Sequence, residues 1–413
     1  MWEKQKSRWW LYILLVLLIA LISAFLVQSY LQIRQRDQLE DAALYQMANE
    51  NPVTIQEVKQ QKIYEVDAEF QRQMDVVQEY LPGIVCWGDV LTGGSASGVS
   101  FPDVLSQQIE KNISKVYDFK ETLEDISGVS RVEWDDYTFK IPVVNMGTGK
   151  ESTTTILGRA GVLPYVTTRD FTVPSSTEPV KICIGSADGS AVNPLLEGDP
   201  SVNPVYIDGI EGTLTPTTDS YRSSRAEYLF TRLTPGKEQE VLSGTEIHTS
   251  ADELYQDYIH VVFMGTYGGF QKGIDLIEQQ KKLIARQTKN SDRFIVIGPY
   301  CTQSEMYQTN FEQIEALMSQ EFGDRFINLR KYLIADALTD AGIAKSKEDT
   351  YQINQNRVPT SLKTNATSLE LNSTGYRLLG DLVYERMDKL GYFDEIREAL
   401  KIPEDIESIT EKK

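Results

Sequence analysis

Short apolar runs recur between residues 84 and 329, and segments with helical spacing separate most of them. The strand-like runs are 84–87, 140–145, 260–264, 294–297 and 326–329. The run 260–264 is unbroken and apolar, which is typical of a strand that is covered on both faces. Strands that alternate with helices predict an α/β fold with a parallel sheet, and helices on both faces of it would form a three-layer α/β/α sandwich of flavodoxin-like type.

One segment interrupts this alternation. Residues 163–250 contain short β-rich runs, which Pro, Gly, Asn and Asp separate. Such runs are typical of antiparallel strands joined by turns. The pattern predicts a small antiparallel β subdomain, inserted between the second and third strands of the parallel sheet. Because ligands of such sheets bind beyond the carboxyl ends of the strands, an insertion that leaves from that edge is expected to line or cap a pocket.

The N-terminal region has the features of a membrane anchor. Residues 9–27 carry no charge and are nearly all apolar, and three basic residues precede them at Lys4, Lys6 and Arg8. A run of this length can cross the hydrocarbon core, and the basic flank favours a cytoplasmic N-terminus. The alternative is a cleaved signal peptide, but the run is long and has no clear small-residue cleavage site. We expect a single-pass signal anchor, with most of the chain extracytoplasmic at the cell membrane.

The segment that follows the anchor, residues 30–80, is polar and has apolar positions at helical spacing. Asn51-Pro52 separates two expected helices, and Pro82-Gly83 ends the second. The apolar stripe is expected to pack on the globular domain or on a second copy of the chain. The segment is therefore interpreted as a helical stalk that provides a route to self-association.

Charge and residue types exclude several kinds of partner and cofactor. The net charge is −19, which argues against binding nucleic acid or anionic lipid surfaces. Only two histidines are present, His248 and His260, and no cysteine pair has metal-ligand spacing. No metal site and no cofactor are therefore expected. His260 begins a buried strand and is interpreted as structural, whereas His248 is expected in solvent.

Two motifs bracket the alternating region. Gly88-Asp89 follow the first strand, and Leu371-Asn372 open the last long helix. Together they resemble the first and last sequence blocks of the SGNH/GDSL hydrolases, a superfamily of esterases and acetylhydrolases. The resemblance covers about residues 84–393. It implies the sandwich fold, an acyl-transfer site at the carboxyl edge of the sheet, and acylated carbohydrates or other esters as substrates.

The same resemblance assigns the expected site positions, and most of them hold residues that cannot perform the chemistry. Asn145-Met146-Gly147 matches the family's Asn-x-Gly block, and Gly147 would supply an oxyanion N–H. The nucleophilic Ser and the oxyanion Asn are replaced by Val90 and Tyr267. The acid and the base are replaced by Thr367 and Glu370. Acyl transfer needs a nucleophile, a base and oxyanion donors, so these replacements together predict a hydrolase fold without its reactive groups.

Four side chains remain as candidates for ligand binding at this edge, namely Asp89, Asn145, Tyr267 and Glu370. Asp89 and Glu370 would face one cleft, where two carboxylates can perform acid–base chemistry or bind a hard cation. The alternative is that Asp89 supports its turn by hydrogen bonding. Tyr267 offers a hydroxyl or an aromatic face to a sugar ring, or else it fills the cleft. Ser95 and Ser97, in the glycine-rich loop, are interpreted as turn residues.

These features divide the chain into a cytoplasmic tail (1–8), an anchor (9–29), the stalk (30–80), an SGNH-like domain (81–393) and a C-terminal tail (394–413). The leading hypothesis is a membrane-anchored pseudoenzyme that binds an envelope glycan or a protein partner. One alternative is an active esterase or deacetylase that acts on acylated carbohydrate through displaced residues. The other is a structural subunit of a membrane assembly.

Overall fold

The computed structural model describes residues 28, 68–94, 96–113, 140–196, 198–199, 201–218, 220, 226–289, 291–300 and 311–400. The chain divides into two compact units, and nearly all described residues belong to one of them, Gln73–Tyr117 and Thr138–Lys401. All that follows concerns this unit. A helix also covers residues 68–80.

Strands are numbered in chain order. They are β1 (Ile84–Gly88), β2 (Val143–Gly147), β3 (Tyr165–Thr167), β4 (Phe171–Val173), β5 (Val180–Ser186), β6 (Val205–Ile207), β7 (Ile210–Pro216), β8 (Ala226–Arg232), β9 (Gln239–Val241), β10 (Glu246–Thr249), β11 (Ile259–Phe263), β12 (Phe294–Ile297) and β13 (Phe326–Ile327). The helices from residue 90 onward are α1 (Val90–Gly93), α2 (Phe101–Asn112), α3 (Thr153–Arg159), α4 (Gly273–Ile284), α5 (Phe311–Phe322), α6 (Leu329–Ala335), α7 (Ala337–Asp340), α8 (Lys347–Asn354), α9 (Ser373–Lys389) and α10 (Asp394–Ala399).

A parallel sheet holds five strands in the order β13-β12-β11-β1-β2. Its central strands, β1 and β11, are buried along their whole length, as their unbroken apolar composition predicts. Val85 and Trp87 of β1 belong to one core cluster with Ile156 of α3, Leu276 of α4 and Ile314 of α5. The sheet therefore presents the carboxyl ends of β1, β2, β11 and β12 along one edge.

The β-rich segment closes on itself as a barrel. Strands β10-β3-β5-β8-β7-β6 pair in this order, and β10 also pairs with β6. Along β8, buried residues alternate with half-buried ones, and the large buried side chains include Tyr228 and Phe230. These pack with Tyr165, Ile184 and Ile247 in a core of their own. Strands β4 and β9 form a separate two-stranded ribbon.

The expected fold class needs correction. The three-layer sandwich with a small antiparallel insertion and an N-terminal transmembrane helix is wrong as an account of the described chain. That part is a mixed α/β structure, in which a closed six-stranded antiparallel barrel accompanies the parallel sheet. The barrel was missed because alternation along a strand shows that one face is buried, but not which strand pairs with the first one to close the sheet.

The expected membrane anchor and the localisation inferred from it are also corrected. No helix within the described residues is both long enough and apolar enough to cross a membrane. The segment 9–29 lies outside the described residues except for Gln28, as do the tail 1–8 and the stalk up to residue 67. The single-pass arrangement is therefore not carried forward.

Helix boundaries follow local sequence signals. Ser100 caps α2 through a reciprocal capping box with Asp103, and Pro102 lies in the first turn, as its position predicts. Asn372 caps α9 by accepting a hydrogen bond from the Gly375 N–H at 3.0 Å. In the segment expected as a tail, residues 394–399 form α10, and Ile396 is buried there.

Candidate functional site

The segments that follow β1 and β2 meet at the carboxyl edge of the sheet. Gly88 is in register with Gly147 of β2 and with Phe263 of β11. The two chains approach closely just beyond this point, because a Cβ atom added at Gly147 would lie 2.4 Å from the N atom of Gly93. Glycine is therefore required at position 147 by backbone packing, and the structure brings Asp89, Val90 and Gly147 together.

Val90 is the first residue of α1, and it is 7% exposed. Its backbone N–H donates a hydrogen bond to the Gly149 carbonyl oxygen at 2.7 Å. The position at which the resemblance implies a nucleophile thus holds an alkyl side chain and an N–H that is already used. The alkyl side chain cannot attack an acyl carbon, and the N–H would have to leave Gly149 before it could donate to an oxyanion.

The Gly147 N–H, which the resemblance implies as an oxyanion donor, is used in contacts within the protein. The Gly147 N–H donates to the Oδ1 atom of Asn145 at 2.9 Å. The Nδ2 atom of Asn145 in turn donates to the Ser100 hydroxyl at 3.2 Å. Asn145 therefore connects the end of β2 to the cap of α2, and its amide is used in that connection.

Asp89 supports the turn that follows β1. It is fully buried and caps α1, with its Oδ1 atom accepting a hydrogen bond from the Leu91 N–H at 2.9 Å. Burial raises the pKa of Asp89 to about 7, although polar groups of Leu91 and Thr266 favour the ionised form; the nearby carboxylate of Glu151 raises it further. A carboxyl in this position is a structural cap rather than a group that solvent or a substrate can reach.

Glu370 lies on a short hairpin above this edge. Lys363 and Leu371 form an isolated antiparallel bridge, and we call residues 363–371 the strap. The Glu370 carboxylate is half-buried, and its Oε2 atom accepts a hydrogen bond from the Ala96 N–H at 3.0 Å. The loop that carries Glu370 and the turn that carries Val90 therefore meet, as the resemblance implies.

The remaining motif positions differ in accessibility. Tyr267 is half-buried in the segment after β11, at the same edge of the sheet. Thr367 is exposed on the strap, and its hydroxyl donates to the Oδ1 atom of Asn365 at 3.0 Å. Ser97 donates its hydroxyl to the Gly94 carbonyl oxygen at 3.1 Å, which confirms that it is a turn residue.

A buried ion pair beside the site was not foreseen from the sequence. Arg159 is fully buried, and its Nη2 atom lies 2.7 Å from the Oε2 atom of Glu151. The same atom donates to the Met146 carbonyl oxygen at 2.8 Å, and the guanidinium carbon lies 5.5 Å from the centre of the Trp87 ring. Burial raises the pKa of Glu151, and the positive charge of Arg159 opposes this effect.

A sequence signal for this pair exists in retrospect. Arg159 is the only charged residue between Glu151 and Arg169. A lone charge within an otherwise uncharged segment is expected to find a buried partner if that segment packs into the core. The short helix α3 is buried throughout, so the guanidinium has to be satisfied inside the protein.

Neither histidine provides a base at this edge. His260 is 1% exposed, its Nε2 atom lies 3.2 Å from the Tyr255 carbonyl oxygen, and burial lowers its pKa to about 4. His248 is exposed on the barrel strand β10, where its Nδ1 atom lies 2.8 Å from the Oδ2 atom of Asp252. Within the described ranges, no three His, Cys, Asp or Glu side chains are grouped so that they could hold a metal ion.

Comparison of the chain with protein-family models, with curated proteins and with solved structures gives no match.

Proposed function

We propose that the chain is a degenerate SGNH-like hydrolase, which binds a ligand at the carboxyl edge of the parallel sheet without cleaving it. The observation that carries the proposal is the use, inside the protein, of the Gly147 N–H expected as an oxyanion donor and of the backbone N–H at the nucleophile position, Val90. The N–H groups of Val90 and Gly147 donate to Gly149 and Asn145 at 2.7 and 2.9 Å. An acyl oxyanion at this point would have to displace both acceptors before it could be stabilised.

The side chains described around the turn after β1 support the same conclusion. Val90 has no atom that can attack a carbonyl carbon, and the hydroxyl of Ser97 is used in its own turn. Asp89 is buried as a helix cap, so it is not available as a general base for a substrate. These described groups therefore do not fill the roles of nucleophile and base that acyl transfer requires.

Tyr267 and Glu370 are both half-buried at the same edge and are the candidates for ligand binding. Asn145 is half-buried as well, but its amide is used at Gly147 and Ser100. A tyrosine ring and a carboxylate can contact the faces and hydroxyl groups of a sugar. Acylated carbohydrate is therefore the first ligand class to test, on the strength of the SGNH resemblance. A protein partner is the competing ligand class.

The test separates binding from turnover. The purified full-length chain is incubated with aryl acetate esters and with acetylated oligosaccharides, and is also treated with a fluorophosphonate that labels activated serines. We expect no turnover and no labelled serine, together with binding of an acetylated oligosaccharide detected by calorimetry. Turnover that a single substitution at this edge abolishes would refute the proposal.

A further inference from the structure

The strap (residues 363–371) makes two hydrogen bonds, from adjacent residues, to segments that follow different strands. The Tyr300 hydroxyl donates to the Leu369 carbonyl oxygen at 2.5 Å. The Ala96 N–H donates to the Glu370 carboxylate at 3.0 Å. Tyr300 follows β12, and Ala96 follows β1 and α1, so the strap joins the two sides of β11.

The strap is attached next to the end of β11. Strands β12, β11 and β1 are neighbours, and adjacent strands lie about 4.8 Å apart. The Tyr300 ring centre lies 6.3 Å from that of Phe263, the last residue of β11, and the Phe263 ring lies 6.1 Å from that of Phe101. The Leu369 carbonyl oxygen, which is bonded to Tyr300, therefore lies near the end of β11, where the chain continues toward Tyr267.

The strap holds its own shape apart from these contacts. The Thr364 N–H donates to the Glu370 carbonyl oxygen at 3.1 Å, and Asn365 accepts hydrogen bonds from the N–H groups of Thr367 and Ser368 at 3.0 and 2.8 Å. At its base, the Asn372 side chain donates to the Ser361 carbonyl oxygen at 2.8 Å. A hairpin that is fixed at its base and held together by internal hydrogen bonds can move as a rigid body when a contact at its far end is lost.

We propose that the strap controls access to the segment after β11, and that the hydrogen bond between Glu370 and Ala96 is its releasable contact. This inference rests on the proposed function, because a ligand of the site has to reach Tyr267. The contact with Ala96 is exposed to water, which competes for both partners, whereas Tyr300 is 4% exposed. Release is therefore expected on the Glu370 side, with the base at Asn372 unchanged.

Cysteine accessibility at position 267 tests the proposal. Tyr267→Cys is introduced into the full-length chain, and the rate of labelling at this position by N-ethylmaleimide is followed by peptide mass spectrometry. Because labelling is read on one peptide, the native cysteines do not interfere. Glu370→Ala is expected to raise the labelling rate about fivefold, the effect of losing one exposed hydrogen bond to a carboxylate. Tyr300→Phe is expected to raise it as well.

Asp170→Ala provides a matched control. Asp170 is an exposed carboxylate that accepts a hydrogen bond from the Ser243 N–H at 2.7 Å, and it lies beside the ribbon strand β4. Its replacement removes the same kind of bond away from the strap, so labelling at position 267 is expected to stay unchanged. Hydrogen exchange of residues 264–270 in chains that keep Tyr267 provides a second readout, and Glu370→Ala is expected to accelerate it.

Two outcomes would overturn the proposal. In one, Glu370→Ala speeds exchange within residues 363–371 but leaves residues 264–270 and labelling at position 267 unchanged, so that the strap moves without covering the site. In the other, the thiol introduced by Tyr267→Cys alone reacts as fast in the folded chain as it does in the urea-unfolded chain. Ester turnover by the same protein would refute the proposed function alone, because the accessibility result does not depend on catalysis.

Discussion

The Oε2 atom of Glu370 accepts a hydrogen bond from the N–H of Ala96 at 3.0 Å, across 274 positions of sequence. This contact brings the strap onto the glycine-rich loop after α1, which is the relationship that the two flanking motifs implied. The residue that joins the two segments is an acid, Glu370, at the position where the SGNH resemblance implies a base. The two segments therefore meet through a carboxylate and not through an imidazole.

Replacing Val90 with Ser is expected not to create an esterase. The new hydroxyl would stand at the start of α1, where neither described histidine lies beside it, and the N–H groups of residues 90 and 147 would still donate to Gly149 and Asn145. Turnover of an aryl acetate by the Val90→Ser chain is expected to equal that of the unaltered chain. A rate increase that fluorophosphonate blocks at residue 90 would show that the oxyanion donors can be released.

Removing one partner of the buried pair is expected to destabilise the protein strongly. Arg159→Met leaves the carboxylate of Glu151, which is 4% exposed, without its counter-charge. Breaking such a pair typically costs about 3–5 kcal/mol of unfolding free energy. Urea unfolding followed by circular dichroism measures the change.

Lys181→Ala is the control for the buried pair. It breaks an ion pair with Glu227 in which the lysine is 68% exposed, so that water screens the charges. We expect a loss of at most about 1 kcal/mol. Equal losses for Arg159→Met and Lys181→Ala would contradict the assigned burial of Arg159.

Asp89→Asn is expected to change how stability depends on pH. Because burial raises the pKa of Asp89 to about 7, against about 3.9 in an unfolded chain, the folded state holds an extra proton between these values. The contribution of the Asp89 carboxyl to the free energy of unfolding is fully present below about pH 4 and is lost as the pH rises through about 7. At about 1.4 kcal/mol per pKa unit, the total change is at most about 4 kcal/mol.

The measurement is the difference in unfolding free energy between the unaltered chain and Asp89→Asn across pH 4–8. His260 has the opposite dependence, because its lowered pKa of about 4 means that its contribution is lost as the pH falls below about 6.5. Taking the difference removes the His260 contribution, which both chains share. A difference that does not decrease toward higher pH would show that Asp89 is not held protonated.

Asp349 is expected to stabilise the protein at neutral pH and to lose this effect in acid. It caps α8 through Ser346, and its two oxygens accept hydrogen bonds from the N–H and hydroxyl of Ser361 at 2.9 and 2.7 Å. Burial alone would raise its pKa, but the bonds from Ser346 and Ser361 outweigh burial and lower the pKa to about 2.

The lowered pKa of Asp349 fixes the direction in which its stabilising effect changes with pH. The contribution of Asp349 is present above about pH 4 and disappears as the pH falls through about 2, so Asp349→Asn should matter at pH 7 and lose its effect near pH 2. Thermal unfolding at about pH 7, 4 and 2.5 provides the measurement. A constant difference in melting temperature across this range would contradict the assignment.

Local patterns were sufficient for some parts of the site. The first strand, the Gly88-Asp89 turn and the start of α9 at Asn372 could all be placed because each depends on neighbouring residues. His260 was correctly interpreted as structural for the same reason, since apolar residues flank it in the fully buried strand β11. The partner of Arg159 could not be identified, because the sequence of α3 does not show which carbonyl and carboxylate groups pack against the helix in the folded chain.

The amino-acid sequence by itself determined the strands of the parallel sheet, the turn at Asp89 and the alkyl side chain at position 90, because apolar periodicity and side-chain chemistry are properties of adjacent residues. Only the tertiary structure decided that the inserted strands close into a barrel, that the N–H groups of Gly147 and Val90 donate to Asn145 and Gly149, and that Glu370 holds the strap to Ala96. These features depend on groups that are distant in sequence coming within hydrogen-bond distance of one another. Only the path of the folded backbone determines which groups do so.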